Sequence, residues 1–261
     1  MKQLIYAAST IFLLMFNVNS IAQQSNINYA EAVNKAGKQR MLSQRIAKAY
    51  LFLGERVRTD KSRLQLEASV KEFLANHRYL KQKIKAKTVQ DMLSFVEFSI
   101  EEYSALAKQP YSKGNAFKMI DLSETLLEAS QNIVVKIETL AQTKKAQVVN
   151  ISGRQRMLSQ RIAKFYIAYQ AGFTDENTKH QLQTAVAEYE KAQDALIKSP
   201  LNSQEITKRL TRTKRLWNIV RSFFLEVEKG GLPVTVYATT DSIMDSMNQI
   251  TDMYVSVTAK N

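Results

Sequence analysis

Arg40 and Arg156 stand at matching places in a segment that the chain carries twice. Gln39-Arg40-Met41-Leu42-Ser43-Gln44-Arg45-Ile46-Ala47-Lys48 returns letter for letter as Gln155 to Lys164, and the match extends outward to Asn34/Asn150, Gly37/Gly153 and Tyr50/Tyr166. Few residues in either copy could do chemistry, and those few are donors: two arginines, a lysine, two glutamines and a serine in one short stretch. A guanidinium group presents parallel N–H donors that match a planar oxyanion, so the chemistry on offer is anion binding. An internal repeat of this kind marks a tandem of one structural unit.

The surroundings of the arginine sharpen this reading. On a helical wheel Leu42, Ile46, Ala49 and Leu53 make the stripe that faces a bundle core, and Arg40 lies on the other side. An ordinary solvated face would be rich in Lys and Glu, yet Arg40 is accompanied by Val33, Ala36, Gly37, Ser43, Gln44, Ala47 and Leu51. The second copy repeats this with Val149, Ser152, Gly153, Ser159, Gln160, Ala163 and Ile167 around Arg156. The helix therefore has two faces suited to burial. Gly37 and Gly153 each cost about 1 kcal/mol in a helix interior, a cost that close approach of another element would explain. Two guanidinium groups meeting at about 5 Å, with an effective dielectric near 20, repel by on the order of 3 kcal/mol; an anion between them reverses the sign. The candidate ligand-binding residues are thus Arg40, Arg156, Gly37, Gly153, Ser43, Ser159, Gln44 and Gln160. Arg45, Arg161, Lys48 and Lys164 point well away from the Arg40 direction and are expected either to flank the site or to be exposed.

The elements that must hold these residues are helices. Three prolines, Pro110, Pro200 and Pro233, are expected in loops, and the long segments between them carry apolar residues at a period near 3.6. Leu66, Val70, Phe73, His77, Leu80 and Ile84 make one such stripe; Ile206, Leu210, Thr213, Trp217, Val220 and Phe224 make another. The predicted helices are Asn28–Val57, Asp60–Ile84, Val89–Lys108 and Asn115–Ala141 in the first unit. In the second they are Lys144–Ala171, Asn177–Ile197, Ser203–Glu228 and Thr235–Thr258. The fold class is all-α: two tandem up-down antiparallel four-helix bundles, residues 23–141 and 142–261. Because Thr139 to Asn150 holds neither Gly nor Pro, a continuous helix across the junction is favoured, with the arginines pairing between chains in a homodimer; a break there would instead let the bundles lie side by side and the arginines pair within one chain.

Composition narrows the function classes. Residues 1–22 run from Met1-Lys2 through an apolar stretch to Asn19-Ser20-Ile21-Ala22, the pattern of a signal peptide cleaved after Ala22, so a periplasmic or secreted protein is expected. There is no cysteine, and two histidines leave no zinc set. No cofactor is expected. A net charge of +13 favours anionic partners, and the run Lys208-Arg209, Arg212, Lys214-Arg215 is either a solvated face or a surface for anionic lipid or polysaccharide. Nucleic acid is not an expected partner. His77 reads as a core polar residue rather than a ligand, and adjacent Glu101 and Glu102 do not face one another. No nucleophile motif or phosphate loop occurs, so an enzyme is not expected.

Asn34-Lys35-Ala36-Gly37-Lys38-Gln39-Arg40-Met41-Leu42-Ser43-Gln44-Arg45, with its copy from Asn150, resembles the P-box of nitrate-sensing histidine kinases. It looks still more like the related PilJ-type N-terminal domain of type IV pilus chemotaxis transducers. The resemblance implies four-helix bundles; in the nitrate sensors the P-box helices of two subunits meet and hold one nitrate between paired arginines, and the arginines carried over here are Arg40 and Arg156. Nitrate or nitrite is the ligand it favours. Those proteins span the membrane and carry an output module. This chain has no second apolar stretch, so a membrane-bound signalling partner is expected to transmit. The alternative is a structural or adaptor protein of the envelope, with the P-box face as a protein–protein seam.

Overall fold

The computed structural model describes residues 27–141 and 144–259. The expected signal segment lies outside them. The described residues form eight α-helices and no strand: α1 (Tyr29–Gly54), α2 (Thr59–Lys83), α3 (Lys87–Leu106), α4 (Lys113–Ala141), α5 (Lys144–Gln170), α6 (Glu176–Ile197), α7 (Gln204–Leu225) and α8 (Pro233–Ala259). A short 3-10 turn, Val227–Lys229, follows α7. Local chemistry sets several ends. Asn28, Asp175 and Ser203 accept from the backbone N–H of Glu31, Thr178 and Ile206, satisfying donors that a helix start leaves free. Pro110 and Pro200 lie between helices as expected. Pro233 does not: it is the first residue of α8, where its missing N–H costs nothing.

Each unit closes as a ring of four helices. α1 packs on α2 and α4, and α3 bridges α2 and α4; α5 packs on α6 and α8, and α7 bridges α6 and α8. The core stripes point inward, with Phe73, Leu80, Tyr103, Met119 and Ile133 buried in one bundle and Leu182, Tyr189, Leu210, Trp217 and Ile243 in the other. His77 is buried among them, its Nδ1 at 3.5 Å from Gln39 Nε2, and burial lowers its pKa.

The relation between the bundles corrects the expectation of a continuous junction helix. α4 ends at Ala141 and α5 starts at Lys144, and the bundles lie side by side with α1 packed along α5. Contacts ascend together along the two helices, Arg40 reaching Asn150 and Lys48 reaching Gln160, so α1 and α5 run parallel about a pseudo-twofold axis. The reason is the second buried face. End-to-end stacking would leave Val33, Ala36, Ala47 and Leu51 in water, together with Val149, Ala163 and Ile167. Side by side, all seven are buried, and apolar area removed from water stabilises by about 25 cal/mol per Å². Local sequence between Thr139 and Asn150 favours continued helix; the seam outweighs it. Pairing of the two repeated helices between chains is corrected by the same observation, since α1 and α5 find each other within the chain.

Candidate functional site at the seam between the bundles

The seam is built on two helices whose small residues let them come close. Arg40 and Arg156 are completely buried in it. Arg40 Nη1 donates to Gln131 Oε1 at 2.6 Å and Nη2 to the Asn150 carbonyl at 3.4 Å. Arg156 mirrors this, with Nη1 to Asn248 Oδ1 at 2.9 Å and Nη2 to the Asn34 carbonyl at 3.5 Å. The partners are neutral oxygens, the Nη2 contacts are long, and neither Nε has a partner among the described residues.

The two glycines explain how the guanidinium groups fit. A Cβ on Gly37 would lie 3.2 Å from Arg40 Nη2 and 3.4 Å from Arg156 Nη2; one on Gly153 would lie 3.0 Å from Arg156 Nη2 and 3.7 Å from Arg40 Nη2. Both guanidinium groups thus converge on both glycines across the axis. What the glycines make room for is the pair of cations, rather than the backbone of a neighbouring helix.

Burial lowers the Arg40 pKa to about 9, with Arg156 and then Arg154 adding repulsion and Glu138 opposing it weakly. Burial lowers Arg156 to about 10, against the pull of Asp252 and Glu72. Both remain charged at neutral pH. The nearest acids act through the seam asparagines: Asn150 Nδ2 donates to Glu138 at 2.7 Å and Asn34 Nδ2 to Asp252 at 3.0 Å. Each asparagine then offers its backbone carbonyl to the opposite arginine.

Ser43, Ser159, Gln44 and Gln160 also lie in the seam, but their donors hold the scaffold. Ser43 and Ser159 donate to the carbonyls of Arg40 and Arg156 at 2.9 and 2.8 Å. Gln44 Nε2 donates to the Ser123 carbonyl at 2.8 Å and Gln160 Nε2 to that of Thr240 at 3.3 Å, tying α1 to α4 and α5 to α8. Tyr103 adds a buried bond from its hydroxyl to the Ser43 carbonyl at 2.6 Å.

About 12 Å further along the helices, Lys48 and Lys164 are fully buried rather than exposed. Each pairs with a carboxylate of the opposite bundle. Lys48 Nζ reaches Asp241 at 2.5 Å and Gln160 Oε1 at 2.8 Å; Lys164 Nζ reaches Glu124 at 2.6 Å and Ser123 Oγ at 2.9 Å. Arg161 joins Glu124, while Arg45 Nη1 lies 3.6 Å from Met244 Sδ. Burial lowers both lysines to about 8 against these acids. Burial would raise Glu124, but Lys164 and Arg161 hold it at about 2. These crossed pairs lock the bundles together.

Sequence reasoning missed Glu124, Asp241, Gln131 and Asn248. A signal existed: Ser123-Glu124 in α4 and Thr240-Asp241 in α8 are equivalent positions, both with an acid where the other bundle carries its repeated lysine.

The family model described as "Type IV pili methyl-accepting chemotaxis transducer N-term", PilJ, matches residues 21–112 and 139–249. The chain belongs to the PilJ family. No curated protein and no solved structure matches it. Each matched region carries one copy of the repeated segment, so two copies of this sensory domain stand in tandem within one chain. Among the described residues no helix is long and apolar enough to cross a membrane.

Proposed function

We propose that this protein is an exported, sensor-type binding protein that takes one small planar oxyanion per chain, nitrate or nitrite in preference, between Arg40 and Arg156. The observation that carries the reading is the convergence of two buried guanidinium groups on Gly37 and Gly153, each with an Nε unpartnered among the described residues and neutral, partly distant acceptors at its Nη groups. A shared monovalent anion supplies the negative charge that Arg40 and Arg156 do not meet directly and accepts from donors of both cations at once. Because the arginines have no solvent exposure, the anion enters only when α1 and α5 part, and it draws them together on binding. Gln131 on α4 and Asn248 on α8 hold the arginines' Nη1 groups, so outer helices feel the change. A membrane-bound partner reads it.

The adaptor alternative needs the P-box face to be free for another protein. That face is consumed by the seam, which weighs against it.

Calorimetry of the mature chain against nitrate, nitrite, sulfate and chloride tests the proposal. One nitrate or nitrite per monomer is expected, with sulfate and chloride much weaker. Absence of heat and of thermal stabilisation with all four anions would overturn it.

A further inference from the structure

The two bundles close one corresponding seam differently. In the second, α6 and α7 are latched. Glu190 accepts from Trp217 Nε1 at 3.0 Å and pairs with Arg221, and Lys179 pairs with Glu228. Trp217 also stacks between Tyr189 and Phe224, with ring centroids at 4.3 and 5.5 Å. With α2 aligned on α6 by the repeat, and α3 on α7 through Tyr103 and Trp217, the first bundle has Leu74 for Glu190, Arg63 for Lys179 and Ala107 for Arg221. It cannot make the latch. A cavity of about 1050 Å³ opens there instead, between α2, α3, the end of α1 and residues 109–111.

Its walls and mouth differ in character. Leu66, Val70, Leu74 and Tyr111 give an apolar interior. Tyr111 is seated by Gly54, since a Cβ at that position would meet the ring at 2.0 Å. Arg56, Arg63, Lys71 and Lys108 line the same space, against Glu67 as the one acid among the lining residues. None of these four cations forms an ion pair among the described residues.

Arg56 adds an independent observation. It occupies the left-handed position of the cap that ends α1, at φ 56°, with its N–H on the Leu53 carbonyl at 3.1 Å and that of Val57 on Phe52 at 2.9 Å. The second bundle makes the same cap with Gly172 at φ 89°. Glycine adopts this conformation freely and arginine does not. Strain retained at a residue whose side chain lines a cavity points to work done by that side chain.

We propose that this cavity binds a small amphipathic organic anion, with its acyl or aromatic body against Leu66, Val70 and Leu74 and its carboxylate or sulfonate held by Arg56 and the neighbouring cations. The site is separate from the arginine seam and does not depend on what the seam binds.

The test uses the mature chain with three probes: anilinonaphthalene sulfonate followed by fluorescence, decanoate as competitor, and decanol as its neutral counterpart. One fluorescent probe per chain is expected, displaced by decanoate and unaffected by nitrate. Arg56→Gly relieves the strain, so it keeps the fold; it should bind decanoate about tenfold more weakly while decanol changes by less than about twofold. Val70→Trp fills the cavity and should abolish binding of all three. The proposal fails if the parent binds neither anion, if nitrate displaces the probe, if Arg56→Gly keeps the parent's decanoate affinity, or if folded Val70→Trp still binds the fluorophore.

Discussion

Replacing Arg40 by Met should leave the anion-free protein at least as stable as the parent while abolishing its response to nitrate. The Arg40 guanidinium is completely buried and its pKa is lowered to about 9 from 12.5. Keeping it charged at pH 7 therefore costs about 5 kcal/mol, at 1.36 kcal/mol for each factor of ten in the proton equilibrium. Its removal forfeits one short bond to Gln131 and one long contact to the Asn150 carbonyl, together about 1–3 kcal/mol. Methionine fills most of the space of the arginine stem and brings no charge, so the balance favours the variant. The parent behaves oppositely in ligand: nitrate at a hundred times its dissociation constant adds about 2.7 kcal/mol, and the variant gains nothing. Urea denaturation at pH 7, with and without nitrate, measures both quantities. A variant destabilised by more than about 3 kcal/mol, beside a parent whose midpoint nitrate does not move, would refute the reasoning and make Arg40 a structural residue.

Gly153→Ala places a methyl 3.0 Å from Arg156 Nη2. The helix should gain up to about 1 kcal/mol in propensity, while calorimetry shows nitrate binding weakened as the guanidinium groups are pushed out of register. Glu124, held at about 2 by Lys164 and Arg161 after burial is overcome, has a lowered folded-state pKa. Its contribution is complete above the ordinary value of 4.5 and is lost as pH falls from there towards 2. Glu124→Gln should remove that acid step and cost about 3–5 kcal/mol at neutral pH by leaving Lys164 buried without its partner, as read by denaturation across pH. Arg58, left-handed at φ 48°, should gain about 1 kcal/mol on replacement by Gly, seen as a raised melting temperature.

Helix positions were legible because every long segment carries an apolar stripe of period 3.6, and Leu66, Phe73 and Leu80 are buried as the stripe requires. The second face of α1 was legible for a negative reason: Val33, Ala36, Ser43 and Ala47 lack the charges of a solvated surface. What covers that face was not. The tripeptide-scale preferences around Thr139 and Asn150 favour helix, and nothing local reports that two distant faces gain more by meeting. The hydrogen-bond partners of Ser43 and Gln44 were not legible for a similar reason. Polar side chains beside an arginine suggest a ligand shell, yet their nearest acceptors are carbonyls of α1 and α4, visible only once those helices are docked. The crossed pairs of Lys48 with Asp241 and Lys164 with Glu124 join residues 193 and 40 positions apart, a relation that no local pattern encodes.

The parallel embrace of α1 and α5 within one chain has a consequence for dilution. A site shared by two separate subunits disappears as protein concentration falls below the dimer's dissociation constant. Here the half-sites are tethered, so each sees the other at a fixed effective concentration however sparse the protein becomes. Tethering also frees the halves from identity. A single mutation in a symmetric dimer alters both sides of its axis, whereas here the place of Gln131 is taken on the other side by Asn248 and that of Glu124 by Asp241. Selection can therefore tune one side of the axis without touching the other, and the two outer surfaces need not remain alike.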